Sequence, residues 1–201
     1  MSISVYLESV RPIPEPLAGD AFHFVRHGQT GHNLREIAQG HLDIPLDDIG
    51  RAQASATAEL LVGGAISRIV SSDLVRARET AERIGARLGL LPDFDADLRE
   101  RCFGPFEGHP AEPDLWGRTA DGMETLEDFA ARIGCAFARH INGPGVLIIA
   151  HGGVLRVVAR LLQAELPADG VRNAAPLHFF RSNIGWTIAD LASIKTIDQL
   201  T

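Results

Sequence analysis

The sequence has no long apolar run. No stretch approaches the length of a membrane-spanning helix, and the first residues, with Glu8, Arg11, Glu15, Pro12, Pro14 and Pro16, lack the apolar centre of a secretion signal. Cysteine is scarce: Cys102 and Cys135 show neither metal-ligand spacing nor a disulfide framework, so reduced thiols in a cytoplasm are expected. Positive charge is in deficit, with a formal net charge of −7 over 201 residues, which argues against nucleic acid and anionic membrane as partners. Repeats, low-complexity tracts and linkers are also missing. What is present is 45% hydrophobic content, enough for a full core, on a length that suits one domain over 1–201. An anionic ligand would therefore need local positive charge, which makes the placement of arginines worth following.

Residues 1–20 read as an irregular extension, with a short edge strand near Ser4 to Leu7. From there, strand and helix patterns alternate. Strands are expected over 22–26, 66–70 and 146–150, and helices over 31–37, 48–62, 74–88, 125–141 and 153–164. Asp47 is a good N-cap, Gly63 with Gly64 and Gly89 are good stops, and Ser71, Ser72 and Asp73 offer capping groups. Residues 90–124, rich in proline and glycine, have little periodicity, and long irregular segments inside compact chains are usually functional. Two strands over 177–181 and 186–191 close the chain as antiparallel neighbours. Their edge could serve a homodimer. The alternation predicts an α/β fold: a three-layer α/β/α sandwich around a mostly parallel sheet.

Two of the strands end alike. Phe22-His23-Phe24-Val25 runs into Arg26-His27-Gly28, and Val146-Leu147-Ile148-Ile149-Ala150 runs into His151-Gly152-Gly153. A histidine at a strand's carboxyl end, before a helix, sits where open α/β sheets place ligands. A lone histidine there is most often structural; two in matching positions, each followed by glycine, are not so easily dismissed. The glycines allow close backbone approach and leave amides free for an anion. Arg26 adds a planar fork suited to phosphate. Arg76, in the first turn of a helix that follows a strand, can reach the same crevice, whereas Arg78 faces elsewhere and suits a pairing with Glu82.

Taken in order, these residues resemble a known family. Arg26-His27-Gly28-Gln29-Thr30 with Asn33 is similar to the R-H-G-x-T-x-x-N signature of the histidine phosphatase superfamily, which contains cofactor-dependent phosphoglycerate mutases and related phosphatases. Gly40 to Leu46 resembles its G-x-x-D-x-P-L loop, and Ser71 to Ala81 its S-S-x-L-x-R-A-x-x-T-A helix start. Leu98-Arg99-Glu100 with Gly104 to Gly108 resembles its L-x-E…G-x-W-E-G segment, and His151-Gly152-Gly153 its second histidine motif. The likeness covers nearly the whole chain after residue 21.

The resemblance implies chemistry. His27 would be the nucleophile, forming a phosphohistidine that divides one hard displacement into two easier ones. Arg26, Arg76 and His151 would surround the transferring oxygens with positive charge, His151 acting best as an imidazolium, and Asn33 would add a neutral donor. Glu100 would protonate the leaving alcohol and then activate water, its proton favoured by nearby phosphate charge. Gly28, Thr30, Gly40, Phe106 and Gly152 would complete substrate binding. No metal and no cofactor are implied, and the expected partner is a small phosphorylated metabolite.

Three positions depart from the family pattern: Phe106 stands for the usual tryptophan, Asp47 for a threonine cap, and Gly122-Met123-Glu124 for a frequent G-E-S. Because the segment between Glu100 and Thr125 is short, hydrolysis is expected over mutase-type transfer, by analogy. A non-catalytic phosphoryl-binding module is a third reading, against which Glu100 argues. Of the other histidines, His23 and His178 read as structural, and His32, His41, His109 and His140 as exposed. The first three of those four fall in segments that could border the pocket. Trp116 and Arg118 are either pocket walls or a minor core.

Overall fold

The computed structural model describes residues 3–8, 10 and 17–193. Six strands form one sheet: β1 (Ala21–Arg26), β2 (Arg68–Ser71), β3 (Pro92–Phe94), β4 (Val146–Ala150), β5 (Pro176–Ser182) and β6 (Gly185–Asp190). Their order is β3-β2-β4-β1-β5-β6. β1, β2, β3 and β4 run parallel, while β5 and β6 add an antiparallel flank. The helices are α1 (Ile3–Leu7), α2 (Gly31–Leu34), α3 (Asp48–Leu61), α4 (Val75–Leu88), α5 (Leu126–His140) and α6 (Gly152–Leu161). No helix among the described residues is long and apolar enough to cross a membrane.

The period of two along a strand builds both cores. In β4 every residue is buried, and Val146, Ile148 and Ala150 join one cluster while Leu147 and Ile149 join the other. The first cluster carries α5 and α6 through Phe129, Ile133, Phe137, Val154 and Val158; the second carries α3 and α4 through Ala58, Leu61, Ala77, Ala81 and Ile84. Stacking of Phe22 on Phe179 and its edge contact with Phe137 tie α5 to the sheet. Each such fully buried ring contributes roughly 1.5–3 kcal/mol in transfer free energy.

Several expectations are corrected. The N-terminal edge strand is instead helix α1. It buries Leu7 in the first core, and Arg160 Nε donates to the Leu7 carbonyl at 3.0 Å, so the end of α1 is held by α6 rather than extending the sheet. Pro12, Pro14 and Pro16 lie outside the described residues. The helix expected over 31–37 stops at Leu34 because Glu36 takes a positive φ of 52°. The helix expected over 153–164 begins at Gly152 and ends at Leu161, where Gln163 takes a positive φ of 55°. The strand expected over 66–70 lies at Arg68–Ser71, since Ile66 and Ser67 form the turn into it. The irregular segment also contributes an edge strand, β3, which starts on Pro92, a residue that cannot donate to a ladder but is tolerated at a strand's first position.

Candidate active site

The parallel register assembles the site. Arg26 lies opposite Ala150 across β1 and β4, so the next residues, His27 and His151, leave neighbouring strand ends together. Their rings lie 5.2 Å apart. Across β2 and β4, Ser71 lies opposite Ile149, which brings Ser72 beside His151. A cavity of about 180 Å³ opens at these ends, and Arg26, His27, Asn33, Gly40, Arg76, Glu100 and Gly152 all line it.

Each side chain has a local reason for its pose. His27 Nδ1 donates to the Gly28 carbonyl at 2.7 Å, which leaves the Nε2 lone pair unused. Burial, reinforced by the Arg76 and Arg26 charges, holds its pKa well below 6.5, so the ring is neutral. His151 is also held well below 6.5, by burial first and then by Arg76, His27 and Arg26. Its Nε2 meets Ser72 Oγ at 2.9 Å, and Ser72 Oγ already accepts from the Leu74 amide at 3.3 Å. The hydroxyl, with one proton and two lone pairs, holds the ring through Nε2 in either tautomer, and the ring's other nitrogen is Nδ1. That atom is buried without a partner among the described residues. Burial and the neighbouring cations hold the His151 ring neutral.

Arg76 is a buried cation and Arg26 a partly buried one, and backbone partners fix both. Arg26 Nη1 donates to the Val171 carbonyl at 2.7 Å, and Arg76 donates to the Leu42 and Gly40 carbonyls at 2.8 Å. The Nε of each has no partner among the described residues. Burial lowers both pKa values to about 10, which still leaves them charged at neutral pH. Asn33 Oδ1 is taken by Thr30 and Asn173, so its amide nitrogen is the atom left to face a ligand.

Glu100 arrives from the opposite wall, the irregular segment. Its carboxylate accepts from the Gly153 amide at 2.8 Å and from the Arg101 amide at 2.9 Å. A Cβ on Gly153 would collide with the Glu100 carboxylate and with Trp116, so only glycine permits this approach of helix to acid. A web of arginines stiffens that wall. Arg132 donates to the carbonyls of Asp97 and Arg99 at 2.8 and 3.0 Å and pairs with Glu124 at 2.7 Å. Arg101, almost wholly buried, donates to the carbonyls of Glu124 and Trp116 at 2.9 and 2.7 Å.

His151, wholly buried, and three expected binding residues do not line the cavity. Phe106 packs with Ala38, Phe103 and Leu115 under the Arg118 guanidinium; Phe103 and Trp116 form the aromatic wall instead. Gly28 serves packing, since a Cβ there would run into the Gly50 carbonyl. Thr30 caps α2 and orients Asn33. Trp116 is both wall and core, whereas Arg118 pairs with Asp114 away from the cavity. His140 is buried against Asp95 at 2.5 Å rather than exposed, and His41 is half-buried, its Nε2 donating to the Glu100 carbonyl at 2.9 Å. Sequence reading missed Ser72, although it stands inside a quoted motif. It also missed Asn173, which donates to the His27 carbonyl at 2.9 Å and has no local signal at all.

Comparison with known proteins gives one family. The model of the histidine phosphatase superfamily (branch 1) matches residues 22–192. An agropine synthesis reductase of Rhizobium rhizogenes is 35% identical over 92% of this chain. The match covers 45% of that protein, so the chain spans less than half the length of this curated relative. A glucosyl-3-phosphoglycerate phosphatase of Mycobacterium tuberculosis is 34% identical over 75% of this chain and 81% of its own length. Among solved structures, that of a mycobacterial glucosyl-3-phosphoglycerate phosphatase complexed with VO3 superposes with a TM-score of 0.71 at 31% identity, covering 86% of this chain and 97% of the other.

Proposed function

Because this chain belongs to the histidine phosphatase superfamily, we propose that it is a phosphatase hydrolysing a small phosphate monoester through a phosphohistidine on His27. One observation carries the reading. A neutral histidine with a free Nε2, two arginines fixed by backbone carbonyls and a carboxylate from the opposite wall line a single cavity.

In the first step His27 Nε2 attacks phosphorus and the bond to the ester oxygen breaks. Protonated Glu100 gives its proton to that oxygen and the alcohol leaves. Arg26, Arg76 and the Asn33 amide hold the three equatorial oxygens while charge redistributes. In the second step the Glu100 carboxylate takes a proton from water, whose oxygen attacks phosphorus as the P–N bond breaks. Inorganic phosphate leaves, and His27 and Glu100 are restored.

The test is acid-quench and alkali-quench trapping with a labelled phosphate ester. An alkali-stable, acid-labile phosphoenzyme that disappears in His27→Ala is the expected result. Primer-dependent isomerisation of phosphoglycerate faster than phosphate release would replace this reading with mutase-type transfer. Inertness toward a broad panel of phosphomonoesters would favour a phosphoryl-binding module.

A further inference from the structure

Three consecutive residues between α2 and α3 touch both walls of the site. The carbonyls of Gly40 and Leu42 each accept from the Arg76 guanidinium at 2.8 Å. Between them, the His41 side chain reaches the irregular wall, where Nε2 meets the Glu100 carbonyl at 2.9 Å. A carbonyl has no proton to give, so Nε2 is the donor, and it keeps that proton whether the ring is neutral or charged. One short piece of backbone thus grips the phosphoryl-side cation with two carbonyls and the acid-bearing residue with an imidazole.

The two segments are docked on each other without that imidazole. The His41 and Phe103 amides both donate to Glu107 Oε1 at 2.9 Å, and a Cβ on Gly40, which takes a positive φ of 47°, would collide with the same carboxylate. The Ala38 amide donates to the His109 carbonyl at 2.9 Å, and the Gly108 amide to the Ala38 carbonyl at 2.8 Å. What the ring adds falls on Glu100 itself. Arg132 Nη2 reaches the same carbonyl from α5, but at 3.3 Å.

The chemistry makes that backbone contact matter. The Glu100 carboxylate is held by the Arg101 and Gly153 amides, contacts that favour its charged form. A protonated carboxyl is the weaker acceptor, so both contacts loosen when Glu100 carries the proton for the leaving oxygen. A bond to its main-chain carbonyl does not depend on the charge of the side chain. His41 does not line the cavity, so its influence passes through Glu100.

We infer that His41 is a positioning residue: by holding the Glu100 carbonyl it sets the general acid at a fixed distance from Arg76. This rests on the hydrolase reading.

The experiment measures kcat and KM for phenyl phosphate and para-nitrophenyl phosphate, two probes of similar shape whose leaving oxygens differ in basicity. His41→Ala should lower kcat for phenyl phosphate by roughly tenfold, one hydrogen bond's worth, with KM little changed. Loss on para-nitrophenyl phosphate, which needs little help from an acid, should stay within about twofold. His41→Gln, whose amide nitrogen reaches as far as Nε2, should restore most of the phenyl phosphate rate; His41→Asn, one bond shorter, should not. An equal loss on both probes would give His41 a merely structural role and overturn the inference. So would unchanged rates in every variant, or an Asn variant as active as the Gln variant, a comparison that stands even where His41→Ala fails to fold. A wild type inert toward both probes sinks the hydrolase reading itself, and this inference with it.

Discussion

His23 lies in β1 and His27 one residue past its end, and each has a second histidine beside it. The His27 and His151 rings are tilted by 59° at 5.2 Å; the His23 and His178 rings stack at 15° and 4.6 Å across the β1–β5 ladder. Both pairs are kept neutral by burial, His23 to about 4 and His27 well below 6.5. The cavity beside His23, at the other end of the sheet, is the larger, about 380 Å³ against 180 Å³, yet no arginine lines it. The residue type is the same at both ends. What differs is the company: fixed cations, a tautomer locked by a carbonyl, and a carboxylate reaching across from another wall. An imidazole becomes a candidate nucleophile through those neighbours, not through its own burial or the room around it.

The sharpest way to break the comparison is to delete one member of each pair. His27→Ala should lower turnover by about 10⁴-fold or more, as loss of a nucleophile does, and remove the trapped phosphoenzyme. His23→Ala should leave kcat/KM near wild type. Next in size, Glu100→Gln should slow alkyl phosphates by roughly 10²–10⁴-fold, the usual share of general acid catalysis, and activated aryl phosphates far less. An equal loss on both ester classes would contradict the acid role. Smaller again, Ser72→Ala removes the hydroxyl that holds the His151 ring through Nε2. A fall in kcat/KM of about tenfold is expected, one hydrogen bond's worth, with folding intact by circular dichroism.

The pH dependence separates the pairs without any loss of function. Because His27 stays neutral through pH 6.5, kcat/KM should not fall as pH drops through that value, and the acid limb should lie lower. An acid limb centred at 6.5 would show that the cations and burial around His27 do not depress it. His23 acts on stability instead. Its folded pKa of about 4 lies below the unfolded 6.5, so the unfolded chain binds the extra proton and stability declines as pH falls from 6.5 toward 4. His23→Phe, which keeps the stacked ring and cannot titrate, should flatten that decline in chemical denaturation at pH 7 and pH 5. An unchanged slope would mean that His23 is not shielded.

Much of this was legible in one dimension because it is local. Phe22, Phe24 and Val25 alternate between the two cores as a buried strand must, and Asp47 caps α3 by accepting from the Gly50 amide at 2.7 Å. The run of Arg26-His27-Gly28 at a strand end carried its own meaning. Legibility failed where pairing partners are remote. Leu7 could be strand or helix until Arg160 bonded its carbonyl, and Phe106 read as pocket wall by its place in a motif until Phe103 and Trp116 took that wall.

The order of residues alone determined the alternating elements, the two strand-end histidines and the arginine beside the first, because periodicity, capping and turn chemistry act over only a few neighbours. Only the folded sheet, with Arg26 set opposite Ala150, decided that His27 and His151 meet, that Ser72 orders one of them, and that Glu100 crosses to them from an irregular wall. Register and loop packing are agreements between distant parts of the chain, and the energies that enforce them exist only once both parts are in place.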